Sequence, residues 1–228
     1  KACGFTGIQV TDMVSAWRAS GSWEIVHDRY KVLANELHEN GMKFTVSAYH
    51  AEGLGHVSVM RATGFFGLMQ MDTLIVNPTE IDLPLYSYDR IFAMGNDTLI
   101  VELYDTLLGE YSDKPLEDIK AKPKFAELPD RDPGEHWYDS IKLASSISKK
   151  GKKKHTDRLH SLAHKHFDAY IESTDVSVSD KAKKLEKAAV YVDGLLKNGG
   201  PSTDVFKKAL GEEKTAELFR KVLFGITK

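Results

Sequence analysis

The chain has 228 residues, 42% of them hydrophobic, enough for a sizeable core in one large domain or two small ones. Its 31 basic and 33 acidic residues leave a formal charge of −2, which gives no global electrostatic reason to expect nucleic acid as a partner. No apolar run is long enough to cross a bilayer, and Cys3, the single cysteine, can neither form an internal disulfide nor supply the four thiolates of an iron–sulfur cluster.

Asp12, Arg18, Glu24, Asp28 and Arg29 fall in the first thirty residues, where a secretory apolar region would lie, and none is present. Trp23, Val26, Tyr30, Leu33, Ala34 and Leu37 recur at helical spacing behind Ser22 as N-cap, which predicts a helix stopping at Asn40-Gly41. Five segments rich in β-branched and aromatic residues follow, at 43–50, 55–62, 65–76, 86–94 and 98–104. The breaks between them, such as Glu52-Gly53 and Gly95-Asn96-Asp97, leave no room for crossover helices, so the strands are expected to be antiparallel neighbours. Such a sheet presents one buried face and one able to line a cavity. Beyond Gly109, Pro115, Pro123, Pro129 and Pro133 punctuate a mixed stretch, and helical patterns recur at 135–148, 157–173, 180–196 and 203–224. Strands followed by helices predict an α+β fold, a three-layer α/β/α sandwich around a central antiparallel sheet. No linker or internal repeat divides the chain, so residues 1–228 are expected to form a single domain and a monomer.

Asp89 lies in the apolar strand Tyr86-Ser87-Tyr88-Asp89-Arg90-Ile91-Phe92. A carboxylate there is costly unless paired. Two readings stand open: a salt bridge to Arg90 or a neighbouring strand, or a proton donor facing a cavity, where burial raises the pKa as general acid chemistry near neutrality requires. Asp72, 17 positions earlier, is the one charge in Met69-Gln70-Met71-Asp72-Thr73-Leu74. Adjacent antiparallel strands can bring both carboxylates onto one face, although this reasoning leaves the register open; an edge-strand charge is the plain alternative. His160, His164 and Asp168 share a helix face, while His166 lies off it. The spacing suits a zinc ion but lacks the glutamate of the metalloprotease motif, so no metal is expected and a solvated polar face is the simpler reading. Lys149, Lys150, Lys152, Lys153 and Lys154 form a cationic run, read either as an exposed loop or as a docking site for an acidic partner. Trp137, Tyr138 and the methionines Met60, Met69, Met71 and Met94 read as core filling. No glycine-rich dinucleotide or P-loop fingerprint is present. A redox function would therefore draw its electrons from a bound cofactor or a partner protein.

Several stretches resemble the ferredoxin-dependent bilin reductases. Leu83-Pro84-Leu85-Tyr86-Ser87-Tyr88-Asp89 is similar to that family's LP-x-[FY]-x-x-D passage, and Val101-Glu102-Leu103-Tyr104-Asp105 to its next strand. Pro133-Gly134-Glu135-His136-Trp137 resembles its entry into a helix, and Leu218-Phe219-Arg220-Lys221-Val222-Leu223-Phe224 its terminal helix. The order and spacing of these stretches carry the resemblance from about Gly55 to the C-terminus.

The resemblance implies reduction of a linear tetrapyrrole such as biliverdin, bound between the sheet and the C-terminal helices, with no bound cofactor and with electrons from reduced ferredoxin. It implies Asp89 as the central catalytic aspartate and Asp72 as a second catalytic group, with Arg61, Arg90, Thr73, His160 and His164 as candidate substrate contacts. The lysine run would then receive ferredoxin. The family's His-x-Glu pair is missing, since the matching stretch is Ser58-Val59-Met60-Arg61-Ala62-Thr63. That departure keeps open a binding protein without catalysis, and the chlorophyll-catabolite reductases, a related class with the same fold, stand as an alternative for the substrate. The cytoplasm or a plastid stroma, in the latter case after removal of a transit peptide, is the expected compartment.

Overall fold

The computed structural model describes residues 23–25, 37–39 and 42–226. Its centre is an eight-stranded antiparallel sheet. The strands are β1 (Trp23–Ile25), β2 (Leu37–Glu39), β3 (Met42–Ala51), β4 (Gly55–Gly64), β5 (Met69–Pro78), β6 (Leu85–Ala93), β7 (Asn96–Tyr104) and β8 (Ile147–Lys152). β3 to β8 lie side by side in chain order, and β1 and β2 both pair with the outer side of β3. Tight turns make this meander. Met94-Gly95, both at positive φ, joins the paired residues Ala93 and Asn96, the two-residue turn whose twist suits a hairpin. Between β4 and β5, Phe65, Phe66 and Gly67 all take positive φ.

The helices are α1 (Lys114–Lys120), α2 (Pro123–Ala126), α3 (Thr156–Ile171), α4 (Lys181–Asn198), α5 (Pro201–Leu210) and α6 (Glu212–Glu217), which continues as a π-helical turn, Leu218–Leu223. Side-chain alternation along the strands gives each sheet face its own core. Leu74, Val76, Tyr86, Tyr88, Leu99 and Val101 pack with Leu116, Phe125, Leu159 and Phe167 of α1–α3. Phe44, Val46, Met60, Met71, Ile75 and Tyr104 pack with Ala188, Tyr191, Phe206, Phe219 and Leu223 from α4 to the C-terminal turn. The expected three-layer sandwich is therefore the fold.

Three local expectations are corrected. The helix predicted across 23–37 has short strands at both ends, paired to β3 through Trp23↔Ala51 and Leu37↔Phe44; Ser22, residues 26–36 and Asn40-Gly41 lie outside the described residues. The helix predicted across 135–148 is a single 3-10 turn, Asp139–Ile141. Its end instead begins β8, whose lysines belong to an edge strand on β7 rather than to a loop. The helix predicted across 203–224 breaks at Gly211, φ 80°, which stops α5 without a Cβ clash.

Two buried polar links position the cavity-side helices. Lys184 of α4, fully buried, places its Nζ 2.7 Å from Asp82 and donates to the Leu83 carbonyl at 2.6 Å. On the sheet, His56, Ser58 and Asn77 donate to the carbonyls of Val222, Leu223 and Phe224, each at 2.7 Å. These bonds satisfy carbonyls that the ending helix leaves without partners, and they hold the C-terminal turn against β4 and β5. Burial keeps His56 neutral, lowering its pKa to about 4 against the pull of its hydrogen bonds to the Val222 and Leu223 backbone, which favour the charged form.

Candidate active site

Between the sheet and the helices α4–α6 lies a cavity of about 210 Å3. Its floor is Met60, Thr73, Ile75, Ser87, Asp89 and Glu102, contributed by β4 to β7. Its walls are His136, Trp137, Tyr138, Tyr191, Phe219, Leu223 and Phe224, with Gly199, Gly200 and Thr203 at the junction of α4 and α5. The site is an aromatic box with two carboxyl groups, Asp89 and Glu102, in its floor.

Asp89 is part-buried in this floor. Thr73 stands directly across the ladder from it, and its hydroxyl donates a 2.5 Å hydrogen bond to Asp89 Oδ1. Burial pushes the Asp89 carboxyl up to about 6; the Thr73 hydrogen bond opposes the rise and the nearby Glu102 charge adds to it. A carboxyl poised there is protonated in a useful fraction near neutrality and can give that proton up. The salt bridge between Asp89 and Arg90 is not formed, because neighbouring residues on a strand point to opposite faces.

Glu102 lies opposite Ser87 on β7. Tyr104 donates to its Oε2 at 2.7 Å, and Lys142 stands 3.9 Å from its other oxygen. Tyr104 in turn stacks on Tyr191, ring centroids 3.9 Å apart. Trp137 packs over Tyr191 as well, and His136 stacks on Tyr138 at 4.8 Å. Gly194 of α4 makes this possible: a Cβ there would lie 2.1 Å from the Trp137 ring.

The other predicted residues divide by sheet face. Asp72 pairs across the ladder with Arg61 on one side and Arg90 on the other, and Thr73 with Asp89. Asp72 and Asp89 therefore point to opposite faces, which corrects the expectation that one face carries both. Asp72 is buried on the α3 side, accepts from Arg61 Nε at 3.0 Å, and has its pKa raised by burial against the pull of Arg61. Arg90 is fully buried on that same side. It binds both oxygens of Asp97, at 2.5 and 2.8 Å, and the Thr156 carbonyl at 3.2 Å, so it is a structural link to the start of α3. Arg61 also lies across the sheet from the cavity. His160 and His164 meet edge to face in α3 with ring centroids 4.3 Å apart, again on the far layer. Among the described residues no three His, Cys, Asp or Glu side chains cluster as a metal would need. Of the lysines, Lys149 pairs with Asp130 at 2.6 Å and Lys152 donates to Asn96 at 2.8 Å, while Lys150, Lys153 and Lys154 are exposed.

Sequence reasoning missed Glu102, although Val101-Glu102-Leu103 carries the same sign as Asp89, one charge inside an apolar strand. It read Trp137 and Tyr138 as core filling. A glycine within the otherwise helical 181–198 was the available clue that a large ring docks there.

No protein-family profile and no curated relative matches the chain. The structure is similar to a crystal structure of phytochromobilin synthase from tomato in complex with biliverdin, with a TM-score of 0.71 and 13% sequence identity. The likeness covers 95% of this chain and 81% of that one, and it shows that the two share a fold.

Proposed function

We propose that the chain reduces a linear tetrapyrrole of the biliverdin type, taking its electrons one at a time from reduced ferredoxin. The observation that carries this reading is Asp89: a carboxyl held near neutrality by burial, facing an aromatic cavity between the sheet and the C-terminal helices. The solved structure of the same fold holds biliverdin. Trp137, Tyr138, Tyr191, Phe219 and Phe224 offer the flat surfaces that pyrrole rings pack against. The cavity falls below the roughly 300–1,000 Å3 of sites for drug-sized ligands, so a bilin must move one wall outward. The Gly199-Gly200 junction is where the backbone is freest to allow it.

In the reaction, neutral Asp89 gives its proton to the bilin and Thr73 holds the carboxylate that remains. One electron from ferredoxin yields a protonated radical, and a second electron and proton complete the two-electron reduction of one double bond. Glu102, linked through Tyr104 to Tyr191, takes the place of Asp72 as the second carboxyl on the cavity face. His136 and Lys142 stand beside the cavity, where a propionate would find them.

The test is anaerobic turnover of biliverdin with reduced ferredoxin, followed by absorbance. Wild type is expected to bleach the substrate band into a product band, and Asp89→Asn to bind without forming product. Equal rates in the two proteins would remove Asp89 from the chemistry. The stretch Ser58-Val59-Met60-Arg61-Ala62-Thr63 on β4 carries neither residue of the family's His-x-Glu pair, which favours a carrier as the second reading. Binding with no product under any electron supply would establish it.

A further inference from the structure

The two hairpin turns at one end of the sheet carry large apolar side chains that folding does not use. Phe65, Phe66 and Leu68 occupy the β4–β5 turn, and Met94 the β6–β7 turn. All four are more than half exposed, and Phe66 and Met94 are nearly wholly so. Phe65, Phe66 and Met94 also sit at φ between 50° and 56°, a backbone region that bulky residues rarely enter. Exposure and strain at the same three side chains describe a tip built for contact rather than for the core.

The ladder places these turns beside the lysine run. Met69 pairs with Ala93 and Asn96 with Lys152, so the β4–β5 turn, Met94 and Lys152 follow one another along a single edge. Four strand spacings separate β4 from β8, a span of about 19 Å. Lys153 and Lys154 continue the edge, exposed to solvent. The stretches 61–70, 92–96 and 152–155 contain one arginine, three lysines and no carboxylate.

We propose that this edge seats the protein on an anionic lipid surface, with Phe65, Phe66 and Leu68 entering the headgroup layer and Lys152, Lys153 and Lys154 facing the lipid charges. The shape favours lipid over an acidic protein. A protruding wedge needs a matching pocket in a protein partner, whereas a bilayer accepts it without one. The charge and the apolar tip are the two attractions that hold a protein at an interface. Lying on a membrane asks nothing of the helices, none of which, among the described residues, is long and apolar enough to cross one. This contact is independent of what fills the cavity.

The experiment uses the full chain with vesicles of phosphatidylcholine, with and without phosphatidylserine, and measures the fraction that co-sediments. Wild type is expected to bind the anionic vesicles and to release as salt is raised. Each lysine changed to glutamine should weaken binding about fivefold. Phe66→Ser should weaken it on anionic vesicles while leaving the thermal melt unchanged, because the side chain touches nothing in the fold. The proposal is overturned if neutral and anionic vesicles bind equally, if Phe66→Ser binds as wild type does, or if the tip variants lose only capture by an acidic protein in the absence of lipid. None of these outcomes bears on biliverdin turnover, so the two readings fail separately.

Discussion

Replacing Asp89 with asparagine keeps the shape of the side chain and removes its charge. In the folded protein the carboxyl titrates near 6, against an ordinary value of 3.8. The folded state therefore holds the proton more tightly than the unfolded chain between those two values. Wild type loses stability on this account as pH rises from about 4 to about 6, and the loss persists above. Two units of pKa correspond to about 3 kcal/mol, an upper figure for a side chain that keeps some contact with solvent. Asparagine avoids that loss and its Oδ1 still accepts the Thr73 hydrogen bond. The variant should match wild type near pH 4 and exceed it by up to about 3 kcal/mol near pH 7, a rise in melting temperature of about 2–4 °C per kcal/mol. His56 and His166, both lowered to about 4 by burial, push the wild-type curve the other way. An unfolded histidine takes up a proton that the buried one refuses, so they add stability as pH rises from about 4 to 6.5. They are common to both proteins and cancel in the difference. Urea unfolding of the pair at closely spaced pH values gives that difference directly. A difference that stays flat from pH 4 to 7, or a variant weaker throughout, would show that Asp89 is not a desolvated carboxyl.

Thr73→Val removes the one hydrogen bond that favours the Asp89 anion, so its pKa should move further up and carry the alkaline limb of the kcat/KM profile with it; a limb that stays or falls refutes the pairing. Gly194→Ala drives a methyl into the Trp137 ring, and the forced repacking should cost about 1–3 kcal/mol and weaken biliverdin binding in an absorbance titration. Binding at wild-type strength would show that Trp137 is not a wall of the ligand site. Arg90→Met leaves the Asp97 carboxylate buried without its cationic partner, with only the Thr156 hydroxyl still donating to it, and should destabilise the fold by about 3–5 kcal/mol, measured by urea unfolding. Biliverdin affinity in the surviving folded protein should be unchanged, since Arg90 lies across the sheet from the cavity.

The five central strands were legible because hydrophobic alternation and glycine-bearing turns are local signals, and the observed strands differ from the expected ones only at their ends. Asp89 was legible for a related reason: a lone charge in an apolar strand must be solvated by something. Register was not legible. A shift of one position decides which face a side chain takes, and no local signal in 69–76 favours Asp72↔Arg90 over a pairing that would have put Asp72 in the cavity. β8 was hidden by its lysines, which suit an edge strand but read as a loop when its partner is unknown. The aromatic wall at Trp137 and Tyr138 was hidden because its meaning depends on Gly194, 57 positions away along the chain and in contact only after folding.

A titration of the folded protein with biliverdin, read by the position of the long-wavelength absorption band, bears most directly on the proton-donating cavity. Wild type should saturate at one equivalent with the band of a protonated pigment, and Asp89→Asn should saturate with the band of an unprotonated one. Absence of saturable binding, or the same band in both proteins, would contradict the account.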